Sequence, residues 1–318
     1  MTRASVVVPS HAGARRLPRL LDALAAQTFT DVEVIVVLDG DIDASASALA
    51  DHAFPARVIE LPENRGRAAA LNAGFAAATG EILIRCDDDL EPGPEWAAAH
   101  VRRHSGPTVG VVGFCADVVP DGAYARAYGD RRTDRLRAMT SQMSGTEGAW
   151  RLWGANVSVD RSTWERVGPY DTRFRAYGWE DVEWGYRLHL AGIPIVLEPA
   201  AEARHLAAST DVATRAARAF DAGAARQTFE AKHGRGSSGP AAPTGGAWAR
   251  AVSAAGRHLD RDRTSRLGRL VDRALPRVPA DIGEKLAAFV VESASVGGFA
   301  TTGEHGRRTG RERTNEPS

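Results

Sequence analysis

The chain has 318 residues, of which 43% are hydrophobic and 25% are charged, so it is long enough for one large domain with an appendage or for two domains. Its 40 basic and 40 acidic residues cancel, which excludes an overall field that would attract nucleic acid or an anionic membrane. The 2 cysteines exclude a disulfide framework, and without an apolar run of membrane-spanning length or a signal peptide we expect a cytoplasmic location.

Residues 4–116 alternate between short apolar runs and amphipathic segments. The amphipathic segments have the spacing of helices, and the runs between them are rich in β-branched residues. Strands that are apolar throughout are typical of a mostly parallel sheet covered by helices on both faces, so we expect an α/β fold. The predicted strands are residues 4–9, 32–38, 57–61, 81–86 and 109–119.

Polar residues follow the first four predicted strands, at Pro9-Ser10, Asp39, Asn64 and the aspartate run 87–89. The carboxyl ends of parallel strands meet at one edge of a sheet, where ligands bind, so we expect these turns to converge on one crevice. Three adjacent carboxylates repel one another unless a cation joins them. Oxygen ligands suit Mg²⁺ or Mn²⁺, which in turn would hold a phosphate-bearing substrate. A solvated acidic turn is the alternative interpretation.

The alternation of predicted strands and helices stops after residue 120. Residues 120–150 are polar and arginine-rich, which fits either an exposed helix or a mobile loop. Strands are predicted again at 157–159 and 193–197, and helices at 161–167 and 181–191. The expected organisation is a first domain over residues 1–233, a Gly/Pro/Ser-rich linker at 234–250, a small helical C-terminal extension at 251–300 and a disordered tail at 301–318.

The order of the motifs resembles that of family 2 glycosyltransferases, nucleotide-sugar-dependent enzymes with the GT-A fold. The resemblance covers about residues 4–210 and leaves the C-terminal third outside it. It implies a GT-A (Rossmann-like) domain with hexosyltransferase activity. The matching motifs are the strand ending at Pro9, Asp39-Gly40, Asn64-x-Gly66, Asn72-x-Gly74, Asp87-Asp88-Asp89, Trp153-Gly154-Ala155-Asn156, Gly168-Pro169-Tyr170-Asp171 and Trp179-Glu180-Asp181.

The resemblance implies that the polar turns bind the donor. In the family, the aspartate at the second strand end contacts the base, usually uracil, which assigns Asp39 to that role and favours a UDP-sugar. Leu38 stands where the family commonly has a further aspartate, so a single carboxylate occupies this position. The expected nucleotide-sugar-binding residues are Pro9, Ser10, Asp39, Asn64, Arg67, Asp87 and Asp88, with Arg65 as a further candidate.

A divalent cation, Mn²⁺ or Mg²⁺, is also implied by the resemblance. Asp87 and Asp89 match the acids of the family's D-x-D motif, which bind the ribose or the metal, and Asp88 would support them. His205 follows the predicted strand 193–197 at the distance of a metal or diphosphate ligand in related enzymes, and imidazole suits Mn²⁺ better than Mg²⁺. By itself, a lone histidine at this place is more often a structural residue.

The motif Glu180-Asp181 lies at the predicted start of a helix, where the macrodipole and free backbone N–H groups favour an ionised carboxylate. Taken alone, the position indicates only a helix cap. The family places its general base here, and we expect Asp181, in preference to Glu180, to remove the acceptor proton. A single base on the face opposite the leaving group implies direct displacement, and therefore inversion at the anomeric carbon.

Trp153, Gly154 and Trp179 flank the motifs expected around the donor sugar and the acceptor. Glycine beside an aromatic residue can leave an open face on which a sugar ring stacks. Burial of both tryptophans in the core is the alternative. Asn156 is a further candidate for contact with the substrate.

Two other functions remain open. A non-catalytic nucleotide-sugar-binding protein would tolerate the loss of either acidic motif. A sugar-phosphate nucleotidyltransferase would carry a basic, glycine-rich loop after the first strand and a phosphate-binding lysine, and the only lysines are Lys232 and Lys285.

For a transferase, the donor would supply a hexose or N-acetylhexosamine to a glycan, a lipid-linked molecule or a small molecule. The C-terminal extension would pack on the catalytic domain, form a homodimer or contact a membrane peripherally.

Overall fold

The computed structural model of the chain describes residues 3–175, 178–240 and 242–312, with side chains described as far as residue 300. The chain forms two compact units. Unit 1 is built from the chain up to Val118, together with Thr133–Arg175 and Glu180–Ala208. Unit 2 is built from the remaining residues, chiefly from Ser209 onward.

The strands of unit 1 form two sheets, of seven and three strands. The strands are β1 (Ala4–Ser10), β2 (Val32–Asp39), β3 (Arg57–Leu61), β4 (Ile82–Cys86), β5 (Leu90–Pro92), β6 (Gly110–Val112), β7 (Cys115–Asp117), β8 (Asn156–Asp160), β9 (Ile195–Leu197) and β10 (Ala203–His205).

The larger sheet has the strand order β3-β2-β1-β4-β8-β6-β9. β8 is antiparallel to both of its neighbours, and the other pairs are parallel, so the expected mostly parallel sheet is confirmed. Because β1, β2 and β4 run in the same direction, the residues that follow them lie at one edge. The polar turns predicted to converge therefore start from a common edge of the sheet.

The smaller sheet has the order β5-β10-β7. Its register pairs His205 with Leu90 on one side and with Asp117 on the other. The sheet thus joins the strand that follows the aspartate triplet to the segment that carries His205.

The single strand predicted at 109–119 is wrong, because β6 and β7 belong to different sheets. The chain leaves the larger sheet at Gly113. A Cβ atom at this glycine would lie 2.1 Å from the carbonyl oxygen of Ala201 and 2.3 Å from Nδ2 of Asn156, so only glycine fits where the backbone turns away.

Helices cover both faces of the larger sheet. Leu17, Leu20, Leu21 and Leu24 form one stripe of a helix that packs on the face presented by residues such as Val6 and Val8. On the other face, Gly74 lets a helix approach closely, since a Cβ atom there would lie 2.3 Å from Cγ1 of Val7. The helices up to residue 208 are α1 (Leu17–Ala25), α2 (Ser45–Ala50), α3 (Arg67–Ala77), α4 (Trp96–Arg103), α5 (Asp130–Met143), α6 (Arg161–Val167) and α7 (Glu180–Leu190).

The arginine-rich segment at 120–150 is mainly helical. A π-helical turn at Ala125–Gly129 leads directly into α5, and a 3₁₀ turn at Ala149–Leu152 follows it. Of the two interpretations left open by the sequence, the exposed helix is therefore correct.

Unit 2 contains a group of long helices: α8 (Val212–His233), α9 (Gly246–Gly256), α10 (Arg261–Ala274) and α11 (Ala280–Glu312). α8 and α11 cross closely at glycines. A Cβ atom at Gly223 would lie 2.1 Å from the carbonyl oxygen of Ser295, and one at Gly298 would lie 1.9 Å from that of Phe220. The crossing therefore depends on the absence of side chains at these two positions.

The C-terminal organisation differs from the expected one. α8 was expected to belong with the sheet in residues 1–233 but lies in unit 2, because it packs against α10 and α11. Residues 234–245 connect α8 to α9. α11 continues as a helix to Glu312, although a disordered tail was expected to begin at residue 301. Residues 313–318 lie outside the described part of the chain. Within that part, no helix combines the length and the apolar composition needed to cross a membrane.

Candidate active site

The three carboxylates of the aspartate triplet point toward different partners. Asp88 faces back toward the start of α1, where Ser10 Oγ donates to its Oδ2 at 2.5 Å. Arg16 donates to the same carboxylate through Nε at 3.0 Å and Nη2 at 2.8 Å. Burial raises the pKa of Asp88, although the hydrogen bonds from Arg16 and Ser10 oppose the increase. Ser10 and Asp88, both expected to bind the donor, thus bind each other and connect β1, β4 and α1.

Asp87 is held by two arginines. Arg85, on β4, donates to both of its oxygens, from Nε at 2.8 Å and from Nη2 at 3.1 Å. Arg67, at the start of α3, places Nε 3.8 Å from Oδ2 of the same carboxylate. Both oxygens of Asp87 are therefore occupied by a bidentate fork, which leaves this residue less suited to bind a cation than its expected role requires.

Asp89 faces His205 across the smaller sheet. Nε2 of His205 lies 3.4 Å from Oδ2 of Asp89, and Nδ1 lies 2.7 Å from Oδ1 of Asp117. Burial of the imidazole disfavours its charged form, but the hydrogen bonds to Asp117 and Asp89 outweigh burial and raise the pKa of His205 to about 9. Burial likewise acts to raise the pKa of Asp89, but the contact with His205 prevails and lowers it.

Asp89 and His205 fit the donor set of a divalent cation. A carboxylate that accepts from Nδ1 of a histidine fixes the ring and leaves Nε2 toward the metal, which is the usual arrangement around ligating histidines. Within the described residues, no group of three or more His, Cys, Asp or Glu side chains is placed to hold a metal ion. A cation at this pair would therefore require oxygens from a substrate or from water.

The second acidic motif begins α7. Arg67 donates through Nη1 to Oε1 of Glu180 at 2.9 Å, and this carboxylate is buried. The side chain of Asp181 is 19% exposed, and its Oδ2 lies 4.0 Å from Nη1 of Arg85. Burial, and then the charge of Glu180, raise the pKa of Asp181 to about 7, against the opposing charges of Arg85 and Arg67. A carboxylate with this pKa is well matched to proton transfer at neutral pH.

Two arginines bring the acidic motifs together. Arg67 contacts both Asp87 and Glu180, and Arg85 contacts both Asp87 and Asp181. Residues almost a hundred positions apart in the sequence therefore line one site at the carboxyl edge of the sheet.

Asp39 shapes the turn that follows β3. Its Oδ1 accepts from the backbone N–H of Arg65 at 2.6 Å, and its Oδ2 accepts from that of Gly66 at 2.8 Å. Oδ1 of Asn64 also accepts from the N–H of Gly66, at 3.1 Å. We expected Asp39 to contact the base of the donor, but both of its oxygens bind backbone groups of this turn. The positive φ of Gly66, +89°, fits the same tight loop.

Trp153 does not offer an open face to a sugar. It is 3% exposed, its ring is stacked on Trp184 at 5.1 Å between centroids, and its Nε1 donates to the hydroxyl of Tyr170 at 3.1 Å. The predicted stacking role is therefore wrong for this residue, which belongs to the core. Gly154 next to it has open space, since the nearest atom to a Cβ placed there is the carbonyl oxygen of Leu152 at 3.8 Å.

The remaining candidates lie in different surroundings. Trp179 belongs to unit 2, where its ring lies 5.0 Å from that of Phe229 and the guanidinium of Arg226 lies 5.7 Å above it. Pro9 is buried within β1. Asn156 is also buried: its Oδ1 accepts from Trp96 and lies 3.0 Å from Nε2 of His100, so Asn156 stabilises the core and does not face a substrate.

Sequence reasoning missed Arg85 and Asp117. Arg85 was included in an apolar strand, although a charged residue within such a run is itself a signal that a partner lies nearby. Asp117 ends β7 and becomes recognisable only when β7 is paired with the strand that carries His205. A third missed contact is that of Asn72, whose amide binds both the N–H and the carbonyl of Tyr170, at 2.7 and 2.9 Å, and thereby fixes the Gly168–Asp171 segment.

Comparisons with known proteins agree with this architecture. Residues 5–164 match the family model described as glycosyl transferase family 2. The chain is 30% identical over 222 residues to validoxylamine A glucosyltransferase of Streptomyces hygroscopicus subsp. jinggangensis (strain 5008), a match that covers 61% of this chain and 53% of the relative. It is 31% identical over 180 residues to undecaprenyl-phosphate 4-deoxy-4-formamido-L-arabinose transferase of Pseudomonas fluorescens (strain Pf0-1), covering 54% and 46%. The chain thus spans about half the length of the curated relatives it matches.

Solved structures share the fold. A mannosyltransferase from Pyrobaculum calidifontis, in complex with GDP-Man and Mn²⁺, superposes with a TM-score of 0.61 at 21% identity, covering 93% of this chain and 87% of that one. Residues 1–349 of TarS from S. aureus superpose with a TM-score of 0.53 at 18% identity, covering 96% and 92%. At these identities the likeness establishes a common GT-A architecture.

Proposed function

The chain belongs to glycosyl transferase family 2, and from this premise we propose that it transfers a sugar from a nucleoside-diphosphate donor to an acceptor hydroxyl. One observation carries the proposal: Arg67 and Arg85 join the carboxylates that follow β4 to those that begin α7. A transferase needs both a diphosphate site and a base in one cleft, and this arrangement supplies candidates for each.

Asp181 acts as the general base. Its pKa, raised to about 7 by burial and by the charge of Glu180, makes the carboxylate a stronger proton acceptor than an ordinary aspartate while a large fraction stays ionised at neutral pH. The acceptor hydroxyl gives its proton to Asp181 as its oxygen forms a bond to the anomeric carbon. The bond from that carbon to the diphosphate breaks on the opposite face, so the sugar is inverted.

Arg67 binds the diphosphate. Its side chain is 39% exposed, and it is the more accessible of the two arginines that contact Asp87. A guanidinium in this position can turn two donors toward phosphate oxygens as negative charge develops on the leaving group. Asp39 contributes indirectly, by holding the backbone of the 64–66 turn from which the nucleotide site is built.

Asp89 and His205 would hold the divalent cation, with Asp117 fixing the imidazole. The cation, when bound, would neutralise charge on the departing diphosphate as a Lewis acid. Mn²⁺ is favoured over Mg²⁺ by the imidazole nitrogen, and Mn²⁺ accompanies GDP-Man in the mannosyltransferase of the same fold.

The donor is most economically tested as a UDP-sugar that carries a hexose or N-acetylhexosamine. The two relatives are named for different sugars, a glucose in one and a substituted arabinose in the other. The acceptor is a glycan, a lipid-linked molecule or a small molecule, and the undecaprenyl-phosphate relative makes a lipid-linked acceptor a specific candidate.

The test is a screen for nucleoside diphosphate release. Purified chain is incubated with UDP- and GDP-sugars in the presence of Mn²⁺, Mg²⁺ or EDTA, and the release of UDP or GDP is followed with and without candidate acceptors. Metal-dependent release with at least one donor is the expected result. Asp181→Asn is the matched control, since it should bind the same donor without turning it over.

Other outcomes point to the other functions. Binding of a nucleotide sugar, with no turnover under any condition, would favour a non-catalytic binding protein. Exchange of pyrophosphate with a nucleoside triphosphate would favour a nucleotidyltransferase. Absence of both binding and turnover across the panel would reject the proposal.

A further inference from the structure

Arg85 is a charged residue in the middle of the larger sheet. β4 lies between β1 and β8, where Arg85 pairs with Val7 on one side and with Val157 on the other. Its side chain is 0% exposed. Burying a guanidinium removes it from water at considerable cost, whereas an apolar residue would fill the same position without that cost. A charge at this place therefore requires an explanation in terms of what it contacts.

The guanidinium makes two kinds of contact. Nε and Nη2 form a fork on Asp87, at 2.8 and 3.1 Å. Nη1 is buried and has no hydrogen-bond partner within the residues that the structure describes, and it lies 4.0 Å from Oδ2 of Asp181. The third nitrogen is thus directed at the proposed base, and the hydroxyl of Tyr170 interacts with both groups.

We propose that Arg85 is a positioning residue for sugar transfer, which fixes Asp87 through its fork and holds Asp181 through the charge of its third nitrogen. The inference rests on the proposed function. Because Arg85 is fully buried, it acts through the two carboxylates and not by touching the substrate. Arg67 is the complementary residue, since it contacts Asp87 and Glu180 from the exposed side.

The charge of Arg85 affects how Asp181 ionises. Burial and the neighbouring Glu180 favour the protonated form of Asp181, and Arg85 is the largest opposing charge. Removing it leaves Arg67 as the remaining cation that favours the carboxylate. The proton acceptor would then be available only at higher pH, and Asp87 would lose the fork that orients it toward Arg67.

Three variants separate these contributions. Arg85→Met removes the charge but fills similar space, and apolar replacements of buried charges are often tolerated by the fold. Arg85→Lys keeps a positive charge but cannot form the fork. Arg161→Met is the control: Arg161 is a partly buried arginine of unit 1 that donates to the carbonyls of Ala78 and Gly80 and contacts no carboxylate of the site.

For each variant, we would measure kcat and KM for the donor, the pH dependence of kcat, and the melting temperature. Arg85→Met should lower kcat at pH 7 by about 100-fold or more, and should move the acidic limb of the kcat profile up by about one pH unit. Arg85→Lys should lower kcat by about tenfold while the limb stays in place. Arg161→Met should lower the melting temperature without moving the limb.

The inference is overturned if folded Arg85→Met keeps the wild-type limb and a kcat within twofold of wild type. If Arg85→Met does not fold, Arg85→Lys provides the test. A folded lysine variant with unchanged kcat and KM would reject the role of the fork on Asp87. ¹³C-NMR titration of the Asp181 carboxyl, assigned with Asp181→Asn, reports the same coupling without any substrate. A higher carboxyl pKa in Arg85→Met is expected, and an equal one contradicts the inference.

Failure of the proposed function gives a different result. If the wild-type chain releases no nucleoside diphosphate from any donor, sugar transfer is rejected. The NMR titration would still show whether Arg85 controls Asp181. If the wild-type chain is active and the Arg85 variants have the same kcat and pH profile as wild type, the proposed function stands and the positioning role is rejected.

Discussion

At the scale of single residues, the proposed chemistry depends on how Asp181 is held. The carboxylate is largely buried, lies beside another carboxylate and is approached by a guanidinium at 4.0 Å. We expect Asp181→Asn to lower kcat by about 10²–10⁴-fold, because a positioned base contributes about that much. Donor affinity, measured by isothermal titration calorimetry, should change little. A variant that retained near-normal turnover with a natural acceptor would assign the base to another residue.

The raised pKa of Asp181 also predicts a pH profile. The base works only when ionised, so kcat should rise with pH, reach half of its maximum near pH 7 and level off above it. Initial rates at saturating donor, measured from pH 5.5 to 9, test this. An acidic limb near pH 4, the value of an ordinary aspartate, would contradict the burial argument.

Asp117 carries a prediction about metal affinity. It accepts from Nδ1 of His205 at 2.7 Å and so fixes the ring that faces Asp89. Asp117→Asn should weaken Mn²⁺ binding by about 10–100-fold, as loss of such partners typically does. Titration of Mn²⁺ in the presence of UDP, followed by electron paramagnetic resonance, measures it. Asp160→Asn, which alters a helix cap remote from this contact, is the control and should leave the affinity unchanged.

How far the sequence predicts the site is clearest at this scale. The aspartate triplet stands out because it follows a predicted strand, whereas the roles of the Glu180-Asp181 pair and of His205 were predicted through the resemblance to family 2 glycosyltransferases. The partners of these residues were not predicted. Arg85 was passed over although its charge stands out in an apolar run, and Asp117 is recognisable only when β7 is paired with the strand that carries His205. Trp153 was misassigned because the aromatic stack that buries it comes from a separate segment.

At the scale of elements, α4 is joined to β8 by a chain of buried polar groups. Because the Asn156 amide oxygen only accepts, Nε2 of His100 donates to it, and Nδ1 of His100 accepts from Ser158 at 2.9 Å. Nε2 of His104 then donates to Ser158 Oγ at 2.8 Å. His100 is therefore neutral in this network, and its protonation would break the bond from Ser158, while burial favours the neutral form of His104 as well.

This network predicts a loss of stability in mild acid. Burial lowers the pKa of His100 to about 3 and that of His104 to about 4, below the value of about 6.5 expected in the unfolded chain. Both residues thus favour folding above pH 6.5, and this contribution is lost as the pH falls from 6.5 toward 4 and then 3, because the unfolded chain binds the protons first.

The expected loss is about 1 kcal/mol per histidine for each pH unit below 6. Urea unfolding of the wild-type chain and of His104→Gln between pH 7.5 and 5 measures the difference, since glutamine can still donate to Ser158 but does not titrate. The variant should show a shallower dependence on pH. Equal slopes in the two proteins would show that His104 is not held neutral.

Some elements were less predictable than others. Strands β1, β2 and β4 are mostly apolar and were predicted nearly to the residue. The run 109–119 is also apolar, but the collision that a side chain at Gly113 would cause with Ala201 and Asn156 forces the backbone out of one sheet and into another. That constraint comes from tertiary packing and has no local signature beyond the glycine itself.

At the scale of the whole molecule, the chain is organised in two units, each with its own core. In unit 2, the crossing of α8 and α11 depends on glycine, because a Cβ atom at Gly298 would lie 1.9 Å from the carbonyl oxygen of Phe220. The composition of residues 234–250 suggested a linker between a catalytic domain and an extension. The structure places α8, on the N-terminal side of that segment, in the same unit as the helices that follow it.

We expect Gly298→Ala to destabilise unit 2 by about 1–3 kcal/mol or more, since overpacking against backbone is poorly relieved. Hydrogen–deuterium exchange should increase in α8 and α11 and remain unchanged in β1, β2 and β4. Gly106→Ala is the control, because a Cβ atom there has no neighbour within 4 Å. Exchange that rises equally in the sheet would show that the two units unfold together.

The way the aspartate triplet is divided among its neighbours has a consequence for inhibitors. Asp87 is neutralised by arginines and Asp88 by Arg16, so neither is a vacant anchor for a positively charged compound. Among the residues that the structure describes, the carboxylate of Asp89 forms an ion pair with His205 and with no arginine. A competitor of the donor therefore gains little from multiple cationic groups, and a head group that chelates the cation proposed at Asp89 and His205 offers the more productive starting point for chemistry on this protein.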